Sequence, residues 1–114
     1  MLMKITDWTK QEIRETAHKV DVRLLYETDA AQVMHINLQP GEELKPHFTP
    51  VDVFFFVVEG NPTIMVGDVK KEVGINMLVE SPKDIVHCLY NYSDKPARIL
   101  VVKTPKPTQQ ARLL

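Results

Sequence analysis

Gly41-Glu-Glu-Leu-Lys-Pro-His47-Phe-Thr49-Pro-Val-Asp-Val53, running on through Phe54-Phe-Phe-Val-Val-Glu59-Gly60, is one of the two stretches that decide the fold. The other is Asn76-Met-Leu-Val-Glu-Ser-Pro82-Lys-Asp84-Ile-Val-His87-Cys-Leu-Tyr-Asn91. Each sets a histidine in an apolar, strand-like run bounded by Gly, Pro, Asn or Asp, the residues that punctuate chains at turns. Two strands of a small barrel can bring such distant histidines face to face. A site in the mouth of the barrel follows from that pairing.

Working outward, the chain reads as short strands between turns. Val20–Tyr26 alternates loosely, and Val33–Leu38 alternates strictly, with Met34, Ile36 and Leu38 on one face and His35 and Asn37 on the other. Pro40-Gly41 breaks the chain, and Val51–Glu59 is the most strand-like segment. Thr63–Val66 and Val69–Val73 form a hairpin around Gly67-Asp68, followed by strands at Met77–Val79, Val86–Tyr92 and Ala97–Lys103. Eight or nine strands at this spacing predict an all-β sandwich or barrel, and a jelly roll suits the length because it wraps its own edges. Before them, Thr9-Lys-Gln-Glu12 reads as a capping box for a short helix starting near Thr9, in a polar arm where His18 is expected in solvent. After them, two prolines in a polar tail from Pro105 predict an extended, non-sheet end.

The 114 residues are 44% hydrophobic and 25% charged, with a net charge of −1. That is ordinary for one soluble domain with a real core, with roughly two thirds of the unfolded surface buried. We expect a single domain over 1–114, with a barrel core at about 20–104, an arm at 1–19 and a tail at 105–114. No basic patch points to nucleic acid, and no apolar run approaches the ~20 residues of a membrane helix. The lone Cys88 forms no internal disulfide, and the first residues lack the apolar core of a signal peptide, so a cytoplasmic location is expected. There is no phosphate loop, nucleophile elbow or CxxC pair.

The two stretches resemble the motifs of the cupin superfamily, whose members are jelly-roll barrels (double-stranded β-helices). Pro40-Gly41, His47 and Glu59-Gly60 fall on the slots of the first motif, and Pro82, His87 and Asn91 on those of the second. The resemblance spans about residues 20–104. It implies an all-β cupin barrel and, in the metal-using members, three histidines and one glutamate as ligands. By position this chain keeps two of the four, His47 and His87. Thr49 stands in the second histidine slot and Val53 in the glutamate slot, while two motif glycines are Asn76 and Asp84. Transition-metal centres normally take at least three protein ligands, so His47 and His87 form an incomplete set. Alternation turns Asp52, His35 and Cys88 away from the barrel interior.

The expected pocket is lined by His47, Thr49, Val53, Phe55, His87 and Leu89, with Met34 and Ile36 from the neighbouring strand. Such an apolar lining favours a neutral or mildly polar small organic ligand. The cofactor is expected to be none, or a weakly held divalent transition metal (Zn, Ni, Mn or Fe). The leading expectation is therefore a small cupin that binds a small organic molecule. The alternatives are a metal-dependent isomerase or dioxygenase, a metal-free enzyme using His47 or His87 as general base, and a non-catalytic sensor module. Phe54, Phe56 and Val58 leave a second apolar face on the same strand. Its expected cover is a second copy of the chain in a homodimer, with Trp8, Met1 and Met3 as other candidates.

Overall fold

The computed structural model describes residues 2–109 and 111–113. Among these it contains one 3-10 turn and ten strands: β1 (Asp21–Glu27), β2 (Gln32–Leu38), β3 (Glu43–Phe48), β4 (Asp52–Glu59), β5 (Thr63–Val66), β6 (Val69–Glu72), β7 (Leu78–Ser81), β8 (His87–Tyr90), β9 (Ala97–Thr104) and β10 (Arg112–Leu113). The strands form two antiparallel five-stranded sheets, ordered β1-β2-β9-β4-β7 and β10-β3-β8-β5-β6. The all-β jelly roll expected from the strand spacing is what the chain forms.

Strand alternation explains where the core sits. Across the first sheet, cross-strand partners build successive inward rows: Ile36 beside Ile99 beside Val57, then Met34 beside Val101 beside Phe55 beside Val79. All of these but Val57 pack with Leu44, Ile64 and Leu89 of the second sheet in one continuous cluster. The next row outward, toward the open end, is Gln32–Lys103–Val53–Ser81. The barrel is thus apolar at depth and turns polar in its last layer.

Four details differ from the sequence reading. The strand-like run around His47, given no bounds in the sequence, becomes the strand Glu43–Phe48, with Pro46 inside it. A bulge between Leu44 and His47 accommodates that proline, which has no N–H to contribute to a ladder. The tail, read as non-sheet, adds β10, whose Arg112 and Leu113 pair with Phe48 and His47. The helix near Thr9 is only the turn Trp8–Lys10, capped by Asp7, whose carboxylate accepts from the Thr9 N–H at 2.9 Å and the Thr9 hydroxyl at 2.7 Å. Thr9 is therefore occupied as a donor to Asp7, and Gln11 is already extended. Finally, Trp8 does fold onto the outer face of the first sheet, stacking on His35 at 4.1 Å, but Met3 is exposed and Met1 lies outside the described residues.

The substituted motif glycines keep glycine's backbone. Asn76 has φ +72° and Asp84 φ +64°, both left-handed, and Asn and Asp are the non-glycine residues that tolerate this region best. Gly60 is less replaceable. Its φ is +80°, and an added Cβ would lie 2.5 Å from the Pro96 carbonyl oxygen. We expect Gly60→Ala to cost about 1–3 kcal/mol, while Asp84→Gly is neutral or stabilising by up to ~1 kcal/mol. Urea unfolding of the two variants checks this, and a well-tolerated Gly60→Ala contradicts the close approach.

Candidate functional site

The site begins with the bulge in β3. Glu43 and Leu44 pair with Tyr90 and Leu89, then pairing resumes at His47, directly opposite His87 on β8. Strict alternation from the inward Leu44 would turn His47 out of the barrel. The extra residue resets the phase and turns it in. The bulge also leaves the Lys45 peptide groups outside the ladder, and two imidazoles use them. The Lys45 N–H donates to Nδ1 of His18 at 3.0 Å, and the Lys45 carbonyl lies 2.7 Å from Nδ1 of His47.

These contacts fix the tautomers. A carbonyl only accepts, so His47 carries its proton on Nδ1 and its Nε2 is a lone pair. That Nε2 lies 3.1 Å from Nε2 of His87, which must be the N–H of the pair. Nδ1 of His87 is then an acceptor, and the Ser81 hydroxyl donates to it at 2.7 Å. The result is a closed chain, Ser81 to His87 to His47 to the Lys45 carbonyl, with both rings neutral. His18 accepts at Nδ1, so its N–H is at Nε2. Its ring stands 4.8 Å from that of His47.

Burial and like charges hold the rings neutral. Desolvation, then His47, Lys103 and His18, lowers His87 to about 3. Desolvation, then His47, Lys45 and Lys103, lowers His18 to about 4. Desolvation also lowers His47, with Lys103 adding to it against the Lys45 hydrogen bond. Lys103 is itself lowered, by desolvation first and Arg14 second.

His47, Thr49, Phe55, His87, Met34 and Ile36 all line one cavity of about 720 Å³. Val53 and Leu89, expected on the same wall, are buried in the core cluster instead; their side chains are consumed by packing between the sheets. The reading missed the rest of the wall. His18, expected in solvent, is partly buried there, because the arm folds back over the barrel mouth and places Arg14–His18 on the rim. Lys103 and Gln32 line it from the polar last row, and Pro107–Gln109, Ala111 and Leu113 close the other side. Lys103 and Gln32 carried a sequence signal: Lys103 continues the inward series Ala97, Ile99, Val101, and Gln32 the series Met34, Ile36, Leu38. His35 and Asp52 are not on the wall. His35 lies beneath Trp8 and accepts from Arg98 at 3.0 Å, and Asp52 caps the Lys83 N–H at 2.9 Å. Cys88 faces the other way, toward the Tyr90 hydroxyl at 3.0 Å. Asn91 is structural, since its side chain holds the carbonyls of Leu38 and Lys95.

The donors on this wall do not make up a three-ligand metal centre. No group of three or more His, Cys, Asp or Glu among the described residues is placed to hold a metal ion. The third imidazole, His18, presents a proton at Nε2 because Lys45 occupies its Nδ1. Thr49 is buried with its hydroxyl unpartnered among the described residues, and Val53 has no donor.

The fold and the paired motifs define a class. A family profile described as "Cupin domain" matches residues 34–103, well over half of the chain. The chain belongs to the cupin family. It is similar to the solved structure of TT1209 from Thermus thermophilus, at 25% identity and TM-score 0.79 over 92% of this chain and 100% of that one. It is also similar to the polyketide cyclase RemF from Streptomyces resistomycificus, at 22% identity and TM-score 0.83 over 99% of this chain and 86% of that one. KdgF from Halomonas sp. matches at 12% identity and TM-score 0.78 over 94% and 97% of the two chains. No curated protein matches the sequence. No helix of the described residues is long and apolar enough to cross a membrane.

The lowered histidines predict acid sensitivity. His35 joins them, lowered to about 4 chiefly by desolvation. Each binds a proton less readily folded than unfolded, so unfolding takes up protons once the pH falls below the ordinary value of 6.5. Stability present above that value is lost progressively down to about 4 for His18 and His35 and about 3 for His87. The expected slope is up to ~1.4 kcal/mol per pH unit for each buried histidine, and less for the part-exposed His18. Urea midpoints measured from neutral pH down to pH ~4.5 check this. A flat profile contradicts it, and His87→Asn should make the profile shallower.

Proposed function

We propose that the chain binds a small organic molecule in the barrel mouth and does so without a tightly held metal. The observation that carries this reading is the closed hydrogen-bond chain through His47 and His87, in a cavity of ligand size. All four ring nitrogens are already used by one another, Ser81 and Lys45. The groups free to meet a ligand are the His18 Nε2–H, the Thr49 hydroxyl and Lys103, with Gln32 beside them held by Glu27 at 3.0 Å, above an apolar floor of Met34, Ile36, Phe55 and Val101. A few polar groups over apolar walls is the usual make-up of a small-molecule site. An imidazole held at about 3 is a weak general base at neutral pH, which supports binding over proton abstraction by His87. RemF, a polyketide cyclase, has the same fold, and that likeness of fold alone adds support for an organic ligand.

A second reading, a metal-dependent enzyme, is favoured by one feature: both Nε2 atoms converge while each Nδ1 is held by an oxygen, the pattern that orients metal-bound imidazoles. Elemental analysis of protein purified without an affinity tag decides between them. We expect well under one transition-metal ion per chain, and Thr49→His with Val53→Glu should raise affinity for Mn, Fe or Ni by orders of magnitude by completing the donor set. Stoichiometric metal in the native protein overturns the proposal.

We also propose a homodimer through the outer face of the first sheet. Phe54, Phe56, Leu100 and Val102 are only partly covered there, and Leu78, the cross-strand partner of Phe56, is 51% exposed. Apolar patches of this kind mark interaction surfaces. Sedimentation should give twice the 13.1 kDa chain mass, falling to monomer in Leu78→Lys; a native monomer at high concentration rules it out.

A further inference from the structure

Lys103 has no place in the small-molecule site as the motifs define it. It occupies the row Gln32–Lys103–Val53–Ser81, immediately across the β4–β9 pair from Val53. Cross-strand partners on one face stand about 5 Å apart at Cβ. An ammonium therefore sits beside the slot from which the family's carboxylate is missing. Lys103 lines the cavity and has no hydrogen-bond or ion-pair partner among the described residues. Among the described residues, the same wall carries Arg14 and three imidazoles against a single carboxylate, Glu15. The Thr49 hydroxyl is buried without a partner on that wall.

We propose that Lys103 anchors the carboxylate of an organic-acid ligand, with the Thr49 hydroxyl and the His18 Nε2–H as further donors to it. This rests on the small-molecule reading and names its ligand class; it departs from the neutral ligand expected from an apolar lining. A partly desolvated ammonium lacking a counter-charge is costly, and a bound carboxylate supplies that charge within a low-dielectric wall. The lowered proton affinity of Lys103 has the same cause, burial first and the nearby Arg14 second. In this chain a resident cation at the mouth is an amino-acid side chain, placed where it can hold an anion directly.

The test uses acetate and benzoate beside their neutral counterparts acetamide and benzamide, with binding followed by calorimetry and by the NMR signals of the Lys103 ε-methylene. Carboxylates should bind and shift those signals, and the amides should bind weakly or not at all. Lys103→Met should weaken benzoate by roughly tenfold or more, and Lys103→Arg should retain most of the affinity. Val53→Glu is the second arm. Its new carboxylate meets Lys103, so it should fold, and it should abolish benzoate binding by occupying the ammonium from within. In a Lys103→Met background the same Val53→Glu change should lower the melting temperature markedly, because its carboxylate then has no cation. Equal binding of benzamide and benzoate, or undiminished benzoate binding by Lys103→Met, overturns the anion site while leaving a small-molecule cavity in place. Lys103 signals that respond to neither carboxylate overturn it whatever the amides do, and amides that also fail count separately against the small-molecule reading.

Discussion

A single bulge organises the mouth of this barrel. It takes Lys45 and Pro46 out of the β3–β8 ladder, and three consequences follow from that one irregularity. The side-chain phase shifts, so that Leu44 and His47 both face inward. The proline is placed where no ladder bond is required of it. The Lys45 N–H and carbonyl, which a regular ladder would have consumed, become the fixed points for His18 and His47. Buried backbone polar groups need partners, and here the partners are imidazoles. The tautomers of all three cavity histidines descend from that one peptide residue.

The fold was legible because its signals are local. Alternation in Val33–Leu38 and around Phe55, turn residues at Pro40-Gly41 and Gly67-Asp68, and the two motif frames, Gly41–Gly60 and Asn76–Asn91, are all readable within short stretches of the chain. The register His47 opposite His87 was implied by the frames. What escaped was long-range. His18 lies in a polar arm with no periodicity, and only the fold-back of that arm over the mouth buries it. The pairing of Arg112 and Leu113 with β3 likewise depends on the path of the chain, against a tail whose prolines argued for no sheet at all. Val53 and Leu89 were placed on the cavity wall by face alone. Alternation gives a side chain its face of the sheet but not its surroundings: Leu89 meets the facing sheet at depth, and Val53, although in the outermost row, packs into the core cluster.

Lys103 shows the same limit from the other side. Its face was predictable from Ala97, Ile99 and Val101, but its meaning appears only with its row. In sequence, Val53 reads as a simple loss, a carboxylate replaced by an aliphatic group. In the structure, the neighbour across the strand pair is a lysine, and the charge balance of the whole layer changes with it. A carboxylate at 53 would have faced an ammonium at 103. With valine there, Lys103 lines the cavity with no ion-pair partner among the described residues.

That balance also accounts for the histidines. Three imidazoles, a lysine and an arginine on one wall cannot all be charged in a poorly solvated space, since each like charge nearby favours the neutral form of the next. The rings give up their protons first, being the weakest bases present, and settle into the neutral chain anchored on Ser81 and Lys45. The lysine, the stronger base, keeps the charge. The division of labour between a neutral relay and the resident cations Lys103 and Arg14 is thus set by relative basicity on one wall, and an anion entering beside them would act on every member of it at once.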